Sequence, residues 1–525
     1  MRLFTRNQIC NIFLNGFLIT CCLNSHGQTR FNVRDSSSYT NSLFVGVTEL
    51  EDGYLVIGKG VLWENSEFLF PMFSGIYSNE GVIQSSQNYY NEQIIYVPND
   101  KSGISYINEN FGYSSFGATL NQNTESAAGF IANFNEEGDT ISVILYHSPY
   151  LEEFGEDFIA PLDIVPSTND DNSFFVSTNI YKEGTQTDCW IQRMTPEGDN
   201  LWSYIYATDS NPDACKALLP KDNGGVIALL RQTGFDLILI DLDADGNEIN
   251  TFETGLNFSI NEALWSSEDY IIGAGVGLAE DGFISGRVVK MDTEANILWD
   301  TIIGLGQSQS FQNQFYKIVH SGDGKYVAGG TKKEFIPEEE ITEQSGTARS
   351  QGWLVKIDDD GNVMWERKYH FIDTPSDTHT LNDLKATSDG GYIFCGESTD
   401  YDSSLEFSEG PPQQGWLVKV DEYGCLVEGC QLSDNINVIE QNGTKEYFKA
   451  GPIPAGQFLN VYQSQNDPLS IYQLINQYGQ VVEEFPALSK GTTMMLDVSK
   501  FSAGSYLLVL RIGNEVLQSE KIIVE

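Results

Sequence analysis

A turn glycine, or a residue in its place, recurs through most of this 525-residue chain, at Gly81, Gly138, Gly198, Gly246, Ala295, Gly361 and Gly424. Its clearest copy lies in the stretch 389–430, which reads D-G-G-Y-I-F-C-G-E-S-T, an insert, then G-W-L-V-K-V-D-E-Y-G-C-L-V-E-G-C. Residues 391–398 and 415–420 are short runs of Tyr, Ile, Phe, Trp, Leu and Val bounded by Gly and Asp, the composition of strands between turns. Gly424 can take the positive φ that closes a tight hairpin at no steric cost. Together with the run around Leu384, this unit predicts four consecutive antiparallel strands.

Two further elements return with the glycine. An upstream D-G-Y element recurs, as at Asp52-Gly53-Tyr54, Asp323-Gly324-Lys325-Tyr326 and Asp389-Gly390-Gly391-Tyr392. A third-strand element recurs as Trp190-Ile191, Arg287-Val288-Val289-Lys290, Trp353-Leu354-Val355-Lys356 and Trp416-Leu417-Val418-Lys419. The spacing is irregular, so inserts such as 332–350 and 399–414 interrupt a fixed core. A four-stranded sheet cannot bury both faces alone, so the copies must stack, and radial stacking leaves only short protected edges. The expected fold is all-β: a seven-bladed β-propeller over 43–431, with six or eight blades as alternatives because the first two units are degenerate. Trp202, Trp299 and Trp365, each four residues after a turn position, fit as plugs between blades.

The charge balance narrows the partners. There are 74 acidic against 29 basic residues, a formal charge of −45 spread along the chain, which repels phosphate backbones. Nucleic acid and anionic membrane surfaces are therefore excluded as expected partners. At the N-terminus Arg2 and Arg6 precede an apolar stretch and the small residues Ser25 and Gly27, the pattern of a secretory signal over 1–27 with cleavage before Gln28. A lipid-anchor reading at Cys21 is the alternative. No later segment is apolar over the ~18 residues a spanning helix needs. Residues 28–42 form either a flexible leader or a strand that closes the ring on the last blade.

Of the eight Cys, three leave with the signal, and the odd remainder leaves one unpaired. Cys425 and Cys430 straddle the end of the last hairpin, where an exported protein places a local disulfide. Cys189 and Cys215 pair only if their strands are adjacent. Cys395, inside a strand, reads as a small buried hydrophobe.

Composition shifts after 431. Residues 432–446 are polar and linker-like, and 447–525 holds some six or seven short strands, the pattern of a small Ig-like β-sandwich. Gly451-Pro452-Ile453-Pro454-Ala455, Phe458-Leu459-Asn460-Val461, Asn476-Gln477-Tyr478-Gly479, Leu496-Asp497-Val498-Ser499, Ala503-Gly504-Ser505-Tyr506 and Glu520-Lys521-Ile522-Ile523-Val524 occur in that order. This domain resembles the C-terminal sorting domain of type IX secretion cargo in Bacteroidetes-like bacteria. Pro452, Pro454, Gly479, Asp497, Gly504, Tyr506 and Lys521 stand at its motif positions. Pro452-Ile453-Pro454 departs from the family's usual Pro-Asn-Pro. The resemblance implies passage to the periplasm, recognition by the type IX machinery, and delivery to the cell surface or medium.

Signals for chemistry are thin. Asp241-Leu242-Asp243-Ala244-Asp245-Gly246-Asn247 alternates carboxylates around a turn glycine, as calcium loops do, but Phe252 stands where an EF-hand needs its bidentate Glu. A plain repeat hairpin explains Asp241, Asp243 and Asp245 as well. The acidic run 334–343 reads as a solvated loop, with a cation or basic partner as the sharper reading. The Gly-x-x-x-Trp spacing is also similar to that of quinone-dependent dehydrogenase propellers. Their vicinal Cys pair is missing from the mature chain, so the likeness concerns architecture. Only five His occur, and nucleophile-elbow, zincin and phosphate-loop motifs are absent. The expectation is an exported binding or adhesion module for polysaccharide or a surface protein, with a polysaccharide hydrolase or lyase as the alternative.

Overall fold

The computed structural model describes residues 28–35, 39–64, 67–91, 93–101, 103–108, 112–121, 127–151, 159–168, 172–181, 187–207, 214–232, 236–267, 269–279, 282–304, 313–336, 348–372, 377–399, 413–427, 430–433, 447–451, 458–463, 470–476, 480–512 and 515–524. The expected signal 1–27 and most of the expected linker 432–446 lie outside them.

The described chain is all-β, and up to Val420 it runs through seven antiparallel units. Unit 1 comprises Asn41–Leu50, Gly53–Glu64, Met72–Tyr77 and Ile83–Tyr89. Unit 2 comprises Ile94–Pro98, Gly112–Asn121, Gly129–Phe134 and Thr140–Tyr146. Unit 3 comprises Ile159–Pro166, Phe174–Tyr181, Thr187–Met194 and Asn200–Tyr206. Unit 4 begins Ala214–Pro220, Val226–Arg231, Asp236–Leu242, and its fourth strand runs straight into unit 5 as one strand, Glu248–Ser267. Unit 5 continues with Tyr270–Leu278, Ile284–Asp292 and Ile297–Ile303. Unit 6 is Gln314–His320, Tyr326–Phe335, Ala348–Ile357 and Val363–Tyr369. Unit 7 has Thr378–Ala386, Tyr392–Thr399 and Gln413–Val420.

Strand alternation sends successive side chains to opposite faces, and here each face meets a different neighbour. In unit 1, Leu55 and Ile57 pack with Phe130 of unit 2, while Val56 packs with Ile393 and Leu417 of unit 7. The same sharing joins units 2 and 3 (Ile131, Val176), 3 and 4 (Phe175, Ala228), 4 and 5 (Leu229, Ile271), 5 and 6 (Ile272, Trp353), and 6 and 7 (Val327, Phe394). The succession of cores is therefore cyclic. Glycine makes room where large rings cross between units: a Cβ on Gly352 of unit 6 would lie 2.7 Å from the Trp416 ring of unit 7.

The fourth strand of unit 7 corrects the expectation of four consecutive strands. Among the described residues no strand lies between Gly424 and Phe448. Phe31–Arg34 takes that place instead, pairing antiparallel from Phe31 opposite Lys419 to Arg34 opposite Trp416. Residues of the leader thus complete the last unit. Trp416 Nε1 donates to Asn32 Oδ1 (2.6 Å), and Arg30 donates twice to Asp421 Oδ2 (2.9 and 3.1 Å). Cys425 and Cys430 are joined as a disulfide just beyond, while Cys189 and Cys215 are buried thiols in one core. Cys395 is also buried, and burial pushes its thiol well above the ordinary value.

All seven turn positions, Ala295 included, have φ between 67° and 96°. Most are Asx turns. Asp243 Oδ1 accepts from the backbone N–H groups of Asp245 (2.9 Å) and Asn247 (2.8 Å), and Asp292, Asp358 and Asp421 repeat the arrangement. Each turn also rests on the preceding unit. Gly246 lies beneath Trp202, Gly361 beneath Trp299, Gly424 beneath Trp365, and Gly81 beneath Phe31 of the closing strand. Trp202 Nε1 donates to Ala244 O and Trp299 Nε1 to Asp359 O, both at 2.9 Å. A Cβ on Gly246 would lie 2.5 Å from the Trp202 ring at a φ that L-residues avoid. Gly246→Ala is accordingly expected to cost about 2 kcal/mol in chemical denaturation.

These turns, with the connection between first and second strands, lie at one end of the ring. The C-terminal ends of second strands, the starts of third strands and the ends that face the next unit lie at the other, which we call the loop end. The repeated charges are internal braces: Lys419 bonds Asp389 (2.9 Å) and Lys356 bonds Asp323 (3.1 Å), tying the third-strand lysine to the D-G turn.

The C-terminal strands form two sheets over one core. Phe448–Gly451, Phe458–Gln463 and Thr493–Asp497 make the first. Ile471–Asn476, Val481–Pro486, Gly504–Ile512 and Glu515–Val524 make the second. Leu459 and Val461 meet Tyr472, Leu508 and Ile522 between them.

Candidate functional site

Two places gather polar or aromatic groups beyond what packing needs. The first is the middle of the ring. Six inner strands carry a bulge at the same level, leaving Val45, Leu162, Lys216, Asn261, Tyr316 and Asn382 unpaired in the ladder. In unit 2 the described residues between Asn99 and Ser105 are not part of a strand. That excursion crosses to the far units: Lys101 Nζ donates to Leu381 O (3.3 Å) and to Asn382 Oδ1, and sits 3.8 Å from the centre of the Tyr316 ring. Burial holds the Lys101 ammonium down to about 8.

One residue beyond the bulges lies a charged layer. Lys317 donates to Glu262 (2.8 Å), Asp163 Oδ2 accepts from Leu218 N (2.8 Å), and Asp383 Oδ2 accepts from Val47 N (3.0 Å). Each contact ties one unit to another. Burial, then the neighbouring Glu262, pushes the Asp163 carboxyl well above the usual range. Burial works against the Lys317 charge, but Glu262 and Asp383 outweigh it and hold the ammonium above its ordinary value.

The second place is at the loop end. A cavity of about 260 Å³ opens there between units 1 and 2, walled by Leu43, Val61, Phe70, Pro71, Ile95, Tyr96 and Val97, with Asn41, Ser42, Lys59 and Gln413 as its polar side chains. Asn41 pairs across the ladder with Val61, and a short hairpin extends that row by pairing Leu62 with Leu69 and Trp63 with Phe68. Because strand faces alternate, Val61 and Trp63 share a face, as do Phe68 and Phe70. The cavity wall therefore continues outward onto Trp63 and Phe68, whose ring centres are 4.5 Å apart. Trp63, Phe68 and Phe70 are 56%, 52% and 43% exposed, too open for a packing role.

Most polar groups around the cavity are committed. Lys59 is paired with Asp100 (2.5 Å), Ser42 Oγ donates to Asp35 (2.8 Å), and Gln413 donates to Glu397. Asn41 Oδ1 is the exception: it is buried with no hydrogen-bond partner. Sequence reading passed over this hairpin. Its signal was available in the alternating V-L-W before E-N-S-E and the F-L-F after it.

The sequence candidates fall elsewhere. Asp241 is bonded to Lys221, Asp243 closes its own turn, and Asp245 is exposed. Hydrogen bonds from Asn247 hold the Asp243 carboxyl below the usual range. Among the described residues no three His, Cys, Asp or Glu side chains converge as metal ligands. Glu334 bonds Lys368 (2.6 Å), and most of the acidic run 334–343 lies outside the described residues.

Of the C-terminal motif positions, Pro452, Pro454 and Gly479 lie outside the described residues. Asp497 Oδ1 accepts from Ser499 N (3.0 Å) and Ser499 Oγ (2.6 Å), so it closes the turn after its strand. Gly504 opens the next strand, where Tyr506 OH donates to Ser502 O (2.8 Å), and Lys521 is exposed opposite Leu507. Residues 450–525 match the family described as the secretion system C-terminal sorting domain. The terminal domain is a type IX sorting domain. The sorting domain implies the type IX secretion machinery as a partner and export to the cell surface or medium.

No curated protein matches the chain. Among solved structures, a protein of unknown function from Bacteroides caccae is 12% identical, with 57% of this chain and 90% of that one covered and a TM-score of 0.25. Prolyl oligopeptidase B from Galerina marginata is 9% identical, with 70% of this chain and 47% of that one covered and a TM-score of 0.36. At those scores neither likeness carries fold or activity over. No helix among the described residues is long and apolar enough to cross a membrane.

Proposed function

We infer that residues 43–431 form a seven-bladed β-propeller that binds an extracellular ligand at its loop end, as a binding or adhesion module. The cyclic succession of cores supports the blade count. Residues 1–27 act as the signal peptide, and residues 447–525, an Ig-like β-sandwich, address the protein to the surface. The observation that carries the binding role is the loop-end cavity, which opens beside the exposed rings of Trp63, Phe68 and Phe70.

A secreted polysaccharide hydrolase or lyase is the second reading, favoured by the raised Asp163 carboxyl beside Glu262. Against it, both groups are engaged in contacts between units, and the excursion through Lys101 spans the same opening. Incubation of the full chain with insoluble and soluble polysaccharides, scoring retention and reducing ends together, separates the two. Retention without new reducing ends is expected. New reducing ends that disappear in Glu262→Gln would make the protein an enzyme.

A further inference from the structure

We propose that His379 is an acid-sensitive latch, which holds residues 370–372 at the seam of units 6 and 7 and releases them when the surroundings acidify. His379 is the second residue of Thr378–Ala386 and fully buried, its ring centre 5.1 Å from that of Trp416. Its Nε2 accepts from the backbone N–H groups of Phe371 (2.9 Å) and Ile372 (3.3 Å), just past the fourth strand of unit 6. Asn32 of the closing strand donates to the adjoining His370 carbonyl (2.8 Å) while accepting from Trp416 Nε1, so the latch adjoins the closure of the ring. A proton on Nε2 turns an acceptor into a donor facing two donors, and both bonds go together. The charges facing the imidazole do not favour that proton. His370, with its ring centre 6.4 Å away, and Arg34 of the closing strand both oppose it. Asp377 lies on the same segment and its carbonyl accepts from Ser350 N (3.3 Å), while Glu397, opposite Thr380, accepts from Gln413. Burial, then His370, hold the imidazole down at about 4, although the Ser350 backbone favours the charged form. Once released, the ring takes its proton at the ordinary 6.5, so the latch is complete above that value and is lost as pH falls towards 4. The sorting domain implies export to the cell surface or medium, where the cytoplasm does not hold the pH.

The test follows hydrogen exchange in the full chain, with rates corrected for their intrinsic dependence on pH. Between about pH 7 and about pH 4.5, opening of the peptide that covers Phe371 and Ile372 is expected to rise roughly fiftyfold. His379→Gln offers a side-chain oxygen as acceptor and takes no proton, so its opening is expected to be the same at both. An unchanged rate in the parent would overturn the latch, and so would an equal rise in parent and variant. If the variant does not fold, the histidine ring signals of the parent decide. A ring titrating at about 4 supports the latch, and titration of every histidine at about 6.5 would overturn it.

Discussion

Removal of residues 28–35 is expected to lower the melting temperature by on the order of 10 °C and to produce a concentration-dependent oligomer. The loss begins with Phe31, which leaves the core shared by units 7 and 1 and uncovers Gly81. Burying a ring of that kind is worth about 3 kcal/mol. Asp421, 2% exposed at its side chain, loses the Arg30 guanidinium, and Trp416 Nε1 loses its acceptor on Asn32. Charge-assisted bonds to a buried carboxylate contribute roughly 1.5–3 kcal/mol. The exposed Gln413–Val420 edge then becomes a template for a second chain. Calorimetry with size-exclusion chromatography at two concentrations measures both effects. A melt within about 2 °C of the intact chain would show that the ring holds without its first strand.

Lys317→Met is expected to cost about 3–5 kcal/mol near neutral pH, because Glu262 loses the cation it is paired with inside the ring. The effect is pH-dependent with a definite sign. Asp163 has a raised carboxyl pKa when folded, so its stabilising contribution is complete below the unfolded carboxylate value and is lost as pH rises through the folded one. Lys317 opposes that rise, so its removal raises Asp163 further and steepens the loss. Urea denaturation of parent and variant at about pH 5 and about pH 8 should show the larger gap at the higher pH. An equal gap at both would mean that the cost comes from the Glu262 pair and that Lys317 does not hold the Asp163 carboxyl down.

Local chemistry made the strands and turns legible. A turn that needs positive φ leaves a glycine, and a middle strand buried on both faces leaves a run such as Trp416-Leu417-Val418. What escaped reading was non-local. The bulges leave no fixed residue type, since Val45, Leu162, Lys216 and Tyr316 occupy one level. The partner of Gln413–Val420 lies at the opposite end of the chain, in the segment 28–42 that reads as either a leader or a ring-closing strand, and the four residues F-N-V-R do not decide between the two by themselves. The row from Asn41 through Val61 to Phe70 exists only after two pairings are made. The alternating acids at Asp241, Asp243 and Asp245 leave two readings open in sequence, because an Asx turn and a calcium loop draw on the same residues.

The division of the ring into two unlike ends has an evolutionary consequence. At one end every turn is pinned by a positive φ, and four of the seven lie against an aromatic ring from the unit before, so insertions there would break both. At the other, strands Tyr326–Phe335 and Ala348–Ile357, and Tyr392–Thr399 and Gln413–Val420, keep full ladders although many residues separate them in sequence. Relatives of this chain can therefore exchange ligands by rewriting one rim while inheriting the other unchanged.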